Sequence, residues 1–273
     1  MKIDTNFYGL YIKKVWVLHN NDSVSKKSMG SLVGDGCLEL IFVSGNGYIT
    51  KLGSNIQKWK EGIYLGGHID EQFELEVLPQ TQITFVKLNW WTAGLISGFD
   101  FRQSRNQTIP LIELDKDLYR KLANKSTHKF TISMLHCLNQ SMEKKQSHQR
   151  DFELIRYSSA FLNKNFSDFK ISKKKLLNEI NISSKSLETK FGRSVELTPL
   201  KFVNTIRFRE ISEQIYHHKN RPSLTNLTYK FGFYDQAHFI RACHKAIGFT
   251  PSNLSKENCF MTNSRDRFRY YTI

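Results

Sequence analysis

The sequence predicts an α+β chain of two domains. The first is mostly β, a sandwich or barrel-like domain, and the second is all-α, with two helix-turn-helix units joined by a long helix. Three observations lead there: glycine-punctuated β-branched runs confined to residues 1–115, a doubled helical motif beyond Asp151, and an uneven positive charge. A chain of 273 residues with 40% hydrophobic residues and 20 Phe can fill two ordinary cores, which excludes global disorder. Lys and Arg number 11 against 12 Asp and Glu in residues 1–115, 8 against 2 in 116–150, 18 against 9 in 151–256 and 3 against 2 in 257–273. The positive field therefore belongs to the middle and C-terminal parts, as expected if only one domain meets a polyanion.

The β reading rests on CLELIFVSGNGYITKL, FELEVL and ITFVKLNWW, short alternating or β-branched runs. GNG at 45–47 predicts a hairpin turn, because consecutive positive-φ positions suit Gly and Asn. The glycines at 45, 47, 66 and 67 lack the GK[ST] or GxGxxG spacing of a phosphate loop. Trp59, Tyr64, Trp90 and Trp91 are the candidate lining of a small-molecule pocket, against ordinary core packing. Residues 116–150 turn helical and basic, with Leu118, Leu122, Ile132, Leu135 and Leu138 at spacings of three or four. They read either as a helical linker carrying a dimer contact or as helices packed on their own sheet.

Beyond Asp151 an internal repeat appears. SLETKFGRSVELTP and HFIRACHKAIGFTP align with Leu187 on Phe239, Phe191 on Cys243, Thr198 on Thr250 and Pro199 on Pro251. A short helix precedes each copy, ISKKKLLNEI before Asn181 and SLTNLTYKF before Gly232. Asn and Gly tolerate the left-handed conformation that a tight turn between crossing helices needs, so each unit is helix, sharp turn, helix. Thr caps a helix and Pro fits its first turn, which predicts new helices at Pro199 and Pro251. The first runs to about His218, with Phe202, Ile206, Ile211 and Ile215 on one stripe. A helix of about 20 residues spans about 30 Å, close to one turn of B-DNA at about 34 Å.

In GFYDQAHFIRACHKAIGFTP, Phe239, Cys243 and Ile247 mark the buried stripe, and Ala237, His238, Arg241 and Lys245 fall on the opposite face. Asp235 is placed to cap that helix. Arg grips guanine bidentately, Gln adenine, and Ala touches a thymine methyl. The base-reading candidates are therefore Gln236, Ala237, His238 and Arg241 in the second unit, with Lys185, Ser186 and Thr189 in the first. Lys190, Arg193, Arg207, Lys230 and Lys245 are the candidate phosphate contacts.

GFYDQAHFIRACHKAIGFTP resembles the second helix-turn-helix signature of the AraC/XylS family of transcription regulators, and SLETKFGRSVELTPLKFVNTIRF is similar to that family's first unit and linker helix. The likeness covers roughly residues 151–256 and implies a seven-helix DNA-binding domain with two helix-turn-helix units. GDGCLELIFVSG, YLGGH and FVKLNWWTAGLISG more weakly resemble the β-rich sensor-type domain found before some of these regulators, which implies control through a ligand or through dimer contacts. Thr189 stands where the family usually has Arg, Leu177 and Thr228 where it has Ala, and Cys243-His244 where it has Phe-Lys.

Cys37, Cys137, Cys243 and Cys259 form no CxxC pair, so no zinc ribbon or disulfide scaffold is expected. His238, Cys243 and His244 lack the i, i+4 spacing of a helical metal site, and no nucleophile motif is present. Neither a metal, a cofactor nor an enzyme is expected. MKIDTNFYGL is no secretory signal and no apolar run approaches a membrane span, so a soluble, cytoplasmic chain without a membrane partner is expected. Double-stranded DNA is the expected partner. A small-molecule effector and a homodimer are left open, and RNA polymerase joins them if the chain activates. The competing reading is a small-molecule-binding β module whose helical tail serves assembly.

Overall fold

The computed structural model describes residues 9–24, 26–28, 37–67, 73–96, 106–125, 132–146, 151–195, 197–217, 223–247, 250–252 and 268–271. Among the described residues, ten strands form two antiparallel sheets. They are β1 (Ile12–Asn20), β2 (Lys26–Ser28), β3 (Glu39–Gly45), β4 (Tyr48–Leu52), β5 (Asn55–Trp59), β6 (Gly62–Gly66), β7 (Phe73–Val77), β8 (Thr81–Leu88), β9 (Thr108–Pro110) and β10 (Phe268–Tyr271). The larger sheet runs β10-β1-β8-β3-β6-β9 and the smaller β2-β7-β4-β5.

Strand alternation gives the larger sheet two buried faces. Ile41, Val43, Ile83 and Phe85 meet Tyr48, Leu75 and Val77 of the smaller sheet. Leu40, Phe42, Val86 and Leu88 turn the other way, onto Leu118, Leu122, Leu135, Leu138 and Met142. Burial on both faces is why β3 reads as an unbroken apolar run. The leucines on the second face belong to α1 (Leu111–Leu114), α2 (Lys116–Ala123) and α3 (Ile132–Gln146). Helices α2 and α3 pack on this sheet, and their buried leucines are spent there. RDRFRYYTI, which reads either as a loose end or as a docked strand, supplies β10, antiparallel to β1 with Val15 opposite Tyr271.

The GNG expectation needs correction. Gly45 and Gly47 do have φ of 97° and 93°, but they connect β3 to β4, which lie in different sheets, so the turn is a corner rather than a hairpin. A Cβ on Gly45 would sit 2.0 Å from the Gln80 carbonyl oxygen, and one on Gly47 2.0 Å from that of Trp59. The corner thus needs glycine for space as well as for φ. The hairpin of this region is β4–β5, closed at Gly53.

Among the described residues, six helices follow: α4 (Phe152–Lys164), α5 (Phe169–Ile180), α6 (Ser184–Val195), α7 (Pro199–His217), α8 (Leu224–Lys230) and α9 (Gln236–Ile247). The long helix α7 is described to His217, where the residues described break off beside the expected end near His218, and Phe202, Ile206, Ile211 and Ile215 are all buried. Its stripe serves two separate cores. Phe202, Val203 and Ile206 join Leu176, Leu187 and Phe191, while Phe208, Ile211 and Ile215 join Leu227, Phe233, Phe239 and Cys243. Pro251 lies in a turn at the edge of the described residues, so the helix expected to begin there, and with it a seventh helix, falls outside them.

The two domains meet at a 3-10 turn, Trp90–Leu95. Asn89, Trp91 and Thr92 donate side-chain hydrogen bonds to the carbonyls of Gly9, Leu10 and Tyr11, which pins the turn to the start of β1. Ala93 and Leu95 join the β-side core, but Trp90 turns into the helical core. Its ring stands edge-on to Phe202, with centroids 5.0 Å apart, and Phe202 in turn meets Phe191 of α6 at 5.2 Å.

Candidate nucleic-acid interface

Both units have the expected turn. Asn181 closes α5 at φ 50° and Gly232 follows α8 at φ 71°, the left-handed conformations that let a second helix cross the first. Leu187 and Phe191 in α6, and Phe239 and Cys243 in α9, are fully buried. The faces opposite these pairs are thereby fixed outward.

On α6, Ser183, Lys185, Ser186, Thr189, Lys190 and Arg193 line one open cleft of about 390 Å³. Ser183 caps the helix by accepting from the Ser186 N–H at 3.1 Å. Lys185, Thr189 and Arg193 are exposed and Ser186 half-buried. Lys190 is tied back, its Nζ 2.5 Å from the Asp151 carboxylate, and Lys173 holds Glu188 at 2.8 Å. That ammonium, by hydrogen bond and charge, lowers the Glu188 carboxyl below its ordinary pKa.

On α9, Asp235 is the cap the sequence predicts, accepting from the His238 N–H at 2.6 Å. Gln236, Ala237, His238 and Arg241 are all exposed. The Gln236 amide donates to Thr225 of α8 at 2.6 Å, and the His238 ring stands edge-on to Phe233 at 5.5 Å. Lys230 is exposed and reaches Gln214. Lys245 lies on α9, but its side chain is outside the described residues, as is that of Ile247. Cys243 is fully buried and its thiol is pushed up to about 12 by desolvation, so it serves as a small apolar filler. The hydroxyl of Thr228, where a smaller Ala would need none, is satisfied by the Leu224 carbonyl one turn back.

Arg207 is set apart from the other phosphate candidates. Its Nη2 donates to the carbonyls of Phe166 and Ser167 at 3.0 and 3.3 Å, and its guanidinium lies 5.4 Å from the Phe233 ring. Burial lowers its pKa, opposed by the nearby Asp168. The guanidinium is thus engaged inside the protein, unlike the exposed side chains of Lys230 and Arg193. The four aromatics proposed as one pocket also divide. Trp59 and Tyr64 pack edge-on at 5.3 Å between the sheets, whereas Trp90 is in the helical core and Trp91 hydrogen-bonds Leu10.

Residues the sequence did not single out complete the face. Thr225 holds Gln236 in place from eleven residues away, and no spacing rule links them. Tyr234, 89% exposed beside the Asp235 cap, is a large aromatic with no core to fill, a signal that solvent-facing placement alone makes visible.

Residues 176–257 match the family model described as a helix-turn-helix domain, from the last turns of α5 through α9. The C-terminal region is an AraC-type helix-turn-helix domain. No curated protein matches the chain. Among solved structures, the chain is similar to unsaturated fatty acid-bound wild-type ToxT from Vibrio cholerae strain SCE256, at 11% identity over 92% of this chain and 96% of that one, with a TM-score of 0.43. A probable AraC family transcriptional regulator from Rhodopseudomonas palustris CGA009 aligns at 23% identity over 37% of this chain and 92% of its own, with a TM-score of 0.33. The C-terminal domain of AraT, a response regulator from Geobacillus stearothermophilus, aligns at 17% identity over 43% and 98%, with a TM-score of 0.36. Likenesses this loose transfer no residue roles. An AraC-type helix-turn-helix domain binds DNA. Among the described residues no helix is long and apolar enough to cross a membrane.

Proposed function

We propose that the chain is a sequence-specific transcription regulator that lays α6 and α9 into successive major grooves, under control of its β-rich domain. The observation that carries this reading is the pairing of two capped helices on one rod, each with its apolar side buried and its polar side exposed. At about 1.5 Å per residue, the 19 residues of α7 span about 28 Å, near the length of one DNA turn. Gln236, Ala237, His238 and Arg241 read bases from α9, and Lys185, Ser186 and Thr189 from α6. Lys190, Arg193, Lys230 and Lys245 hold phosphates, Lys190 after leaving Asp151.

Control passes through the 3-10 turn, because Trp90 joins the core beneath α6. A small-molecule effector in the β-rich domain, or a second copy of the chain docked on it, acts by shifting that turn. RNA polymerase is a further partner if the bound site activates a promoter. The test is selection of bound sequences from a random DNA pool by the full chain at physiological salt. Two short blocks about one helical turn apart are the expected result. Sequence-blind, weak retention would replace this reading with a small-molecule-binding β module that has a helical assembly tail.

A further inference from the structure

The two units share α7 but not a core, so something must fix their relative setting. The described contacts between them converge on residues 166–168, just before α5. Phe166 packs against both cores, and its ring stacks on Phe231 of the second unit with centroids 6.1 Å apart. Ser167 presents its carbonyl oxygen to Gly232, where an added Cβ would sit only 2.5 Å away. Asp168 caps α5 by accepting from the Ile171 N–H. Arg207 rises from the middle of α7 into this junction. One Nη2 bonds the Phe166 and Ser167 carbonyls of the first unit, while the guanidinium face lies on Phe233 of the second. Nη1 reaches Asn204, and Nε is buried without a hydrogen-bond partner.

We infer that Arg207 is a positioning residue that sets the spacing between the two reading helices, and so fixes how many base pairs separate the two half-sites. The inference rests on the two-helix reading proposed above. A guanidinium suits the role because one rigid, planar group donates to two carbonyls while lying over a ring, whereas an ammonium is a compact charge on a flexible stem. Gly232 completes the arrangement by letting the second unit's turn approach the Ser167 carbonyl. A half-site spacing error of one base pair rotates a groove by about a tenth of a DNA turn, so a rigid junction discriminates spacings and a loose one does not.

The test uses the full chain, its Arg207→Met and Arg207→Lys variants, and duplexes carrying the wild-type pair of blocks with the spacer lengthened or shortened by one base pair. Wild type is expected to lose about tenfold or more in affinity on either altered spacer. The variants are expected to lose less than about threefold between spacers while keeping affinity for the second block alone. An unchanged spacing profile would overturn the inference. A uniform loss on all spacers with a salt slope smaller by about one would overturn it too, and would return Arg207 to phosphate contact. Failure of both variants to fold, read by circular dichroism, would assign the residue to stability instead. A DNA-free arm separates this inference from the reading it rests on: spin labels introduced bioorthogonally at positions 185 and 244 should give a narrow distance distribution in wild type and a broad one in the variants. An equally narrow distribution in both would sink the inference, whereas a two-block motif missing from wild type would sink only the parent reading.

Discussion

The two helix-turn-helix units differ most in what stands behind them. The first is braced from outside: Trp90 of the β-rich domain enters its core, and Lys190 reaches back to Asp151 at the head of α4. Among the described residues, the second packs on α7, on its own first helix and against Phe166 and Ser167, around a core that ends in the small, neutral Cys243. Its outer face is also the more open of the two, with Gln236, Ala237, His238 and Arg241 all exposed apart from local bonds. Two repeats of one motif thus differ in their support, one unit braced by the β-rich domain and the other standing on the shared helix.

Trp90→Ala removes the brace of the first unit. Truncating a buried Trp costs about 3–5 kcal/mol, and the loss should fall on the first unit and its docking, so calorimetry should show one melting transition separating into two. Retention of a single transition near the wild-type temperature would remove Trp90 as the brace. Alkaline titration marks the second unit instead. The folded Cys243 thiol is raised to about 12, above its ordinary value of 9.0, so the unfolded chain releases its proton first as pH climbs. That contribution to stability is intact below about pH 9 and is lost between about 9 and 12, at up to about 1.4 kcal/mol per pH unit. Cys243→Val should flatten the fall measured by urea denaturation across that window, and an unaltered slope would mean other groups carry it.

Smaller effects sharpen the contrast in DNA reading. Arg241→Ala should lower specific affinity by about 1–3 kcal/mol and relax preference at one base pair, whereas Thr189→Ala in the first unit should cost less than either bound. Equal losses from the two would make both units readers of the same rank. Lys245→Ala should leave preference intact and reduce the salt slope by about one unit, checked by binding titrations between low and physiological salt. A change in preference at one position would move Lys245 to the base-reading set.

What was legible in the sequence was what local rules govern. The Asn181 and Gly232 turns, the Asp235 cap, the span of α7 and the buried pairs Leu187–Phe191 and Phe239–Cys243 each follow from φ preference, capping or a period of 3.6. The rest depends on residues brought together from far along the chain. Trp90 reads as another aromatic after a strand, and only the tertiary structure sends it into the helical core. Arg207 looks like any surface cation on an amphipathic helix until its carbonyl partners, some forty residues earlier, are known. GNG satisfied the glycine requirement of a hairpin, and a corner between sheets makes the same requirement.

The pairing of β10 with β1 has a consequence for how this molecule is made. Two strands from opposite sides of the helical domain in the chain lie side by side, so residue 15 finds residue 271 only after everything between them has been synthesised. Closing so long a loop is slow and comes late, because its entropy must be met before any backbone bond between the strands is gained. Until then β1 is a bare edge, open to pairing with another chain. A nascent chain is therefore exposed to misassembly at that strand for longer than at any interior strand of the sheet. Cutting the chain ahead of residue 268 would make that exposure permanent.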